Sequence, residues 1–180
     1  MTTVAFIART QNGEMQQRWQ VLQRVAPKSV QVRLVDAGLS EGELMEALKD
    51  VDAIIPWWGR GLPPQVVKNC PKLKLVQLLS AGYDAYDVAA LKQMGIAVAN
   101  NGGSNAVSVS EHTVALMLSV CRRMMDAWEN TRNGKWRDGT ENLPLRSEIT
   151  GKTVGIIGFG NIGRQVARKL SGWDVRLLYY

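Results

Sequence analysis

The 180 residues are 46% hydrophobic and 21% charged, the balance of an ordinary soluble globular protein long enough to bury a core in one or two domains. The net charge is +6, but the cations (Arg9, Lys28, Lys49, Lys68, Lys92, Arg122, Arg137, Arg164) are scattered rather than clustered among aromatics, which argues against a nucleic-acid partner. No run of about 18 apolar residues predicts a membrane span, the start lacks the basic region of a signal peptide, and the isolated Cys70 and Cys121 with a lone His112 offer no metal spacing and suit a reduced, cytoplasmic compartment.

Strand and helix signals alternate from the first residue. Residues 3–8 form a short apolar run, read as a strand. Met15, Trp19, Leu22 and Ala26 recur at helical spacing until Pro27 stops them. Residues 30–35 alternate and are β-branched, a second strand. Ser40 with Glu43 three positions on is a capping box opening a helix through Leu44, Ala47 and Leu48. Residues 53–56 form a third strand. Pro63-Pro64 suit the first turn of a helix reaching Cys70. Residues 73–79 read as a fourth strand, 84–94 as a helix stopped by Gly95, and 96–99 as a fifth strand. Strands separated by helices of this length predict a parallel sheet covered on both faces over residues 1 to about 100.

A long helix is predicted next, capped by Ser104 or Asn105. Val109, Val114, Met117, Val120, Cys121, Met124 and Trp128 mark an apolar stripe on it, read as core. The polar stretch 133–150, with Gly134, Gly139 and Pro144, reads as a connection.

The most specific motif is Gly158-Phe159-Gly160-Asn161-Ile162-Gly163. It follows an apolar strand at 153–157. It opens a helix whose Ile162, Val166, Ala167 and Leu170 are placed on one face, and a further strand is read at 175–180. A G-x-G-x-x-G in such a βαβ unit is the dinucleotide fingerprint. Gly158 permits the turn, Gly160 lets the backbone approach a pyrophosphate, and Gly163 lets helix and strand pack closely. The helix N-terminus then offers N–H groups and a positive dipole end to phosphates. The acidic residue that would read the ribose is expected about 20 positions on, at or beyond Tyr180, so NAD and NADP both stay open.

Three segments resemble the D-isomer-specific 2-hydroxyacid dehydrogenase family. Ser80-Ala81-Gly82-Tyr83-Asp84-Ala85-Tyr86-Asp87 is similar to the family's turn after the fourth strand. Asn105-Ala106-Val107-Ser108-Val109-Ser110-Glu111-His112 is similar to its N-x-x-S-V-A-E-H element. The segment from Gly151 to Arg164 is similar to its signature around the dinucleotide turn. Order and spacing match as well. The resemblance spans essentially the whole chain but only the first half of a typical member.

The resemblance implies a flavodoxin-like substrate-binding domain over residues 1–100. It implies the interdomain helix and first βαβ unit of an NAD(P)-binding Rossmann domain over 101–180, expected to be truncated. It implies hydride transfer between a 2-hydroxy or 2-keto acid and NAD or NADP. The N–H groups of Ala81-Gly82 would hold the substrate carboxylate; Asn105 would lie near substrate and nicotinamide, although it also suits a plain helix cap. Ser108 and Val109 would line the cleft beside the nicotinamide, and Gly158, Gly160, Asn161, Ile162 and Gly163 would carry the dinucleotide. The family's catalytic histidine, carboxylate and arginine match no position here, so no catalytic residue is assigned and the 180 residues alone are expected to be inactive; His112 is read as structural. Where phosphoglycerate-type members carry Arg-Ser, this chain has Trp57-Trp58 with Arg60 behind, which places a phosphorylated substrate in doubt and favours a bulkier or apolar acid, though the indoles could equally be packing residues. Dimers around the interdomain helix are implied too. Two other classes stay open: a non-catalytic NAD-binding regulator on the same fold, and an inactive remnant or interaction module.

Overall fold

The computed structural model describes residues 1–9, 13–57, 61–135 and 146–180, the side chain of Glu14 excepted, and they fall into two compact units, Met1–Gly102 and Gly103–Tyr180. The first unit runs β1 (Thr2–Ala8), α1 (Gly13–Val25), β2 (Val30–Asp36), α2 (Glu41–Leu48), β3 (Ala53–Trp57), α3 (Pro64–Lys68), β4 (Leu75–Gln77), α4 (Val88–Gln93) and β5 (Ala97–Ala99). Every neighbouring pair is parallel, in the order β2-β1-β3-β4-β5. That is the doubly wound, flavodoxin-like order, whose ligands sit beyond the carboxyl ends of the strands.

The alternation of β1 shows why both faces are covered. Ala5 and Ile7 point to one side, into a core with Val35, Leu44, Leu48, Ile54, Val66 and Val76. Phe6 and Ala8 point to the other, against Met15 and the partly buried Trp19 and Leu22 of α1. Successive strand residues face opposite ways, so a strand buried on both sides must be apolar throughout. The Phe6 and Trp19 rings stack with centroids 6.4 Å apart.

Local chemistry sets the helix ends. Ser40 caps α2 by accepting from the Glu43 N–H, and the Glu43 carboxylate accepts from the Ser40 N–H at 2.9 Å, the reciprocal capping box. The helix expected over 84–94 starts later, at Val88, because Asp87 takes the cap position and accepts from the Ala90 N–H at 2.9 Å. Residues 79–86 are thereby left as a loop beside the sheet end.

The second unit contains α5 (Ala106–Arg122), α6 (Met124–Arg132), β6 (Thr153–Ile156), α7 (Asn161–Leu170) and β7 (Arg176–Tyr179). Strands β6 and β7 pair in parallel from Thr153–Arg176 to Ile156–Tyr179 around α7, a βαβ unit. Its core is Ile149, Val166 and Leu170, with Val114, Met117, Leu118 and Trp173 packed on it. No helix among the described residues is long and apolar enough to cross a membrane.

Three expectations for this unit change. The single long helix is two, broken where Arg123 adopts φ 52°, ψ 48°. The Arg123 N–H turns back to the Val120 carbonyl at 3.2 Å. Its guanidinium pairs at 2.8 Å with Asp126, an acid in the first turn of α6, where the helix dipole favours it. The apolar stripe is core only along part of α5. Val114 and Met117 pack on α7, but Val120, Met124 and Trp128 are exposed; α7, with 10 residues against 17 in α5, is too short to cover them. On α7 itself the buried line is Gly163, Val166 and Leu170, and Ile162 is turned outward at 38% exposure. Residues 136–145 of the expected connection lie outside the described residues.

Candidate functional site

Strands β1, β3 and β4 end at an open cleft of about 810 Å³ in the first unit, lined among others by Arg9, Met15, Trp57, Ser80, Gly82 and Tyr86. Its floor is the loop after β4. Past the last β4–β5 rung the Leu78 N–H still reaches the Ala99 carbonyl, at 2.7 Å, and the chain then turns through Ser80, Ala81 and Gly82.

The hydrogen bonds of that turn are one-sided. The Ser80 carbonyl accepts from the Asn101 N–H at 3.0 Å. The Ala81 carbonyl accepts from Asn100 Nδ2 at 2.7 Å, and the Gly82 carbonyl accepts from Ser80 Oγ at 2.6 Å. The N–H groups of Ala81, Gly82 and Tyr83 find no acceptor among the described residues. Three carbonyls are tied and three donors are left, the complement of a carboxylate. Gly82 is not forced by crowding, since a Cβ there would meet only Asp84 Oδ2, at 3.5 Å.

Trp57, at the end of β3, is partly buried and packs on the α1 side of the sheet as well as lining the cleft. The Arg18 guanidinium lies 4.1 Å from its ring centroid, a cation–π contact that holds the indole flat. Trp58 and Arg60 lie outside the described residues. The cleft nevertheless has a cation, Arg9, that the Trp57-Trp58 comparison did not foresee. Burial pushes the Tyr86 phenol up from its ordinary value.

In the second unit Gly158 has φ +89°, a conformation that only glycine adopts without strain. Gly163 is fixed by contact: a Cβ there would collide with the Gly158 carbonyl oxygen and stand 3.2 Å from Ile156 Cγ2. Gly160, the N-cap of α7, has ordinary φ and nothing within 4 Å of where a Cβ would stand. Space is therefore open over the turn, and no side chain caps the first N–H groups of α7. Asn161 is near Gly103, where an added Cβ would come within 2.9 Å of its Nδ2. Phe159 stacks on Tyr179 with centroids 4.2 Å apart, tying the turn to the end of β7.

Asn105 occupies the N-cap of α5, but its side chain makes no cap hydrogen bond and Ser104 supplies none. Ser108 Oγ donates to the Asn105 carbonyl at 3.2 Å, and Val109 is partly buried one residue on. His112 is exposed. Sequence reasoning missed Asn100, Arg18 and the Phe159–Tyr179 stack, since each acts on a residue distant in sequence.

Comparison with known proteins places this arrangement. The sequence model described as D-isomer specific 2-hydroxyacid dehydrogenase, catalytic domain, matches residues 7–168. A glyoxylate reductase of Pyrococcus furiosus is 36% identical over 142 residues, covering 77% of this chain and 42% of that protein. A 2-hydroxyacid dehydrogenase from Ketogulonicigenium vulgare Y25 shares the fold with a TM-score of 0.76 at 29% identity, over 99% of this chain and 54% of that one. An NAD-dependent formate dehydrogenase from Staphylococcus aureus, solved in complex with NAD, gives a TM-score of 0.76 at 27% identity, over 100% and 56%. The chain thus spans about half the length or less of the proteins it matches. With the match running from the end of β1 into α7, the chain belongs to the D-isomer specific 2-hydroxyacid dehydrogenase family.

Proposed function

We propose that the chain supplies the substrate-carboxylate turn and the dinucleotide turn of an NAD(P)-dependent D-2-hydroxyacid dehydrogenase, acting on a small 2-hydroxy or 2-keto acid. The observation that carries this reading is the presence, in one chain of that family, of two turns with backbone N–H groups that find no acceptor among the described residues, at Ala81-Gly82 and after Gly158, whose own N–H is taken by the Tyr180 carbonyl. In residues 1–100 the Ala81 and Gly82 N–H groups bind the acid's carboxylate. Its side chain runs along Trp57, which suits an apolar body, with Arg9 in the cleft lining and Arg60 close in sequence. In residues 101–180 the turn from Gly158 to Gly163 receives the pyrophosphate: the cradle is open where a Gly160 Cβ would project, and Asn161 and Ile162 begin the helix whose N-terminus faces the anion. The residues present therefore fit a dinucleotide.

Asn105, Ser108 and Val109, in the first turns of α5, serve the nicotinamide end, and the uncapped Asn105 carboxamide supports that role over plain capping. A bound nicotinamide supplies the hydride donor or acceptor. The acid–base histidine and its partners match no position among these 180 residues, so turnover by these residues alone is not expected. The exposed Leu116, Val120, Met124 and Trp128 support self-association through α5 and α6 as a homodimer, and the free Cys70 and Cys121 suit a reducing cytoplasm.

The test is calorimetric titration of the chain with NADH and NADPH, beside Gly160→Val. With nothing within 4 Å of its Cβ position, that variant keeps the fold and loses dinucleotide binding by about tenfold or more, as the side chain fills the pyrophosphate's place. Binding of neither nucleotide, or equal binding by Gly160→Val, overturns the proposal for this turn.

A further inference from the structure

We infer that Asn100 is a positioning residue for the substrate carboxylate: it fixes, through the Ala81 carbonyl, the direction in which the Gly82 N–H points. The inference rests on the carboxylate reading of the turn and adds how that turn is kept in its binding form. No cis peptide bond occurs among the described residues. In a planar trans peptide the carbonyl of one residue and the N–H of the next point in opposite directions. The Ala81 carbonyl and the Gly82 N–H are such a pair. When Asn100 Nδ2 holds that carbonyl at 2.7 Å, the Gly82 N–H must point the other way. Gly82 lines the cleft, and its N–H has no other acceptor among the described residues.

The neighbouring peptide units follow the same rule. The Ser80 carbonyl, tied to the Asn101 N–H at 3.0 Å, sets the Ala81 N–H. The Gly82 carbonyl, tied to Ser80 Oγ at 2.6 Å, sets the Tyr83 N–H. The first tie is backbone to backbone, and the third is local to the turn. The central one alone depends on a side chain from another part of the chain, 19 positions away at the end of β5.

The central peptide unit is also the one that needs a tie. A peptide flip rotates ψ of one residue and φ of the next in opposite senses, and a glycine on the far side accepts either result. Flipping the Ala81–Gly82 unit would turn a carbonyl oxygen to the cleft where a donor had been, repelling an anion. Asn100 opposes that flip because its Nδ2 faces the Ala81 oxygen: a flipped unit would set the Gly82 N–H against a donor until the carboxamide also turned. Asn100 is exposed and contributes no buried surface to the core, so its effect on binding separates from any effect on folding.

The experiment uses the ¹⁵N-labelled 180-residue chain with oxamate as the probe, following the amide resonances of Ala81 and Gly82. Wild type is expected to show saturable shifts at both. Asn100→Ala is expected to raise the dissociation constant about threefold to tenfold, the worth of one hydrogen bond, with the larger change in response at Gly82 and an unaltered thermal midpoint. Asn100→Leu, which is close in size and uncharged but lacks the donor, is expected to bind at least as weakly, and it decides the matter if Asn100→Ala does not fold. Oxamate binding by both variants as tight as by wild type removes the inference and leaves the carboxylate turn standing. No oxamate response at Ala81 and Gly82 in wild type removes the carboxylate turn itself, and the inference with it. A thermal midpoint lowered in Asn100→Ala with binding unchanged assigns Asn100 to structure alone.

Discussion

The two units each contain a turn with unpaired N–H groups, and they obtain them by different means. At Gly158 to Gly163 the donors come from helical geometry: the first N–H groups of any helix lack partners, and α7 leaves them without a side-chain cap. The glycines only let the turn form and let the helix sit against β6. At Ser80 to Gly82 there is no helix start, since α4 begins at Val88. The donors are exposed there because the carbonyls are tied from behind, one of them by Asn100. A site built from helix geometry is encoded within six consecutive residues. A site built by tying carbonyls is spread over residues 80–101, and its glycine is not sterically obligatory.

That contrast predicts opposite responses to a side chain added at a glycine of each turn. Gly163→Ala should have the largest effect of any single methyl added to the dinucleotide turn. Its Cβ would collide with the Gly158 carbonyl oxygen, so α7 must lift from β6 and expose Val166 and Leu170. The cost is on the order of 1–3 kcal/mol for overpacking, in a unit whose buried hydrophobic cluster is centred, among the described residues, on Ile149, Val166 and Leu170. Urea unfolding followed by the methyl resonances of Val166 and Leu170 measures it. A variant as stable as wild type would show that helix and strand are not held by the close approach.

Gly82→Val sharpens the other half. The Cβ has only an ordinary contact, 3.5 Å from Asp84 Oδ2, and Gly82 is not among the positive-φ residues. Stability should therefore change by no more than about 0.5 kcal/mol, as at a typical surface site. Oxamate binding should fall markedly, because the isopropyl group occupies the cleft in front of the donors. A variant that unfolds, or one that binds oxamate normally, contradicts this account of the turn.

The same contrast explains what could be read from the sequence. The parallel sheet was legible because β1 to β5 carry short apolar or alternating runs separated by helical spacing, and the α2 capping box was legible because Ser40 and Glu43 are three apart. The dinucleotide turn was legible because its glycines are adjacent and each has a local reason. The helix break at Arg123 was not: no glycine or proline marks it, and the left-handed residue is stabilised by contacts that only the folded chain brings together, such as that with Asp126. Asn100 was not legible either, because nothing near it in sequence indicates that its amide meets Ala81. The first turn is legible through family resemblance, which points to the backbone donors and says nothing of what holds them. Ile162 was misplaced by one step around α7 because an apolar count does not separate a glycine that must be buried from the isoleucine beside it.

The smallest expected effect concerns pH, at the cleft of the first unit. Tyr86 lines it, and burial raises its phenol above the ordinary value of about 10. The folded chain therefore keeps this proton to higher pH than the unfolded chain does. Between the two values the folded state binds more protons, so stability is intact below about pH 10 and falls as pH rises beyond it. Lysines titrate in the same range, so the contribution of Tyr86 is read as a difference. Urea midpoints of wild type and of Tyr86→Phe, taken at pH 8 and at pH 11, should show wild type losing more than the variant, with little difference between them at pH 8 beyond the lost hydroxyl. The second unit provides the internal control, because Tyr86 belongs to the other unit and the second unit's own titratable groups are the same in both proteins. The methyl resonances of Val166 and Leu170 should therefore report the same alkaline change in both proteins. Equal alkaline losses by both proteins in the first unit would mean that the phenol ionises as freely in the folded chain as in water, and that the cleft wall at Tyr86 is open to solvent.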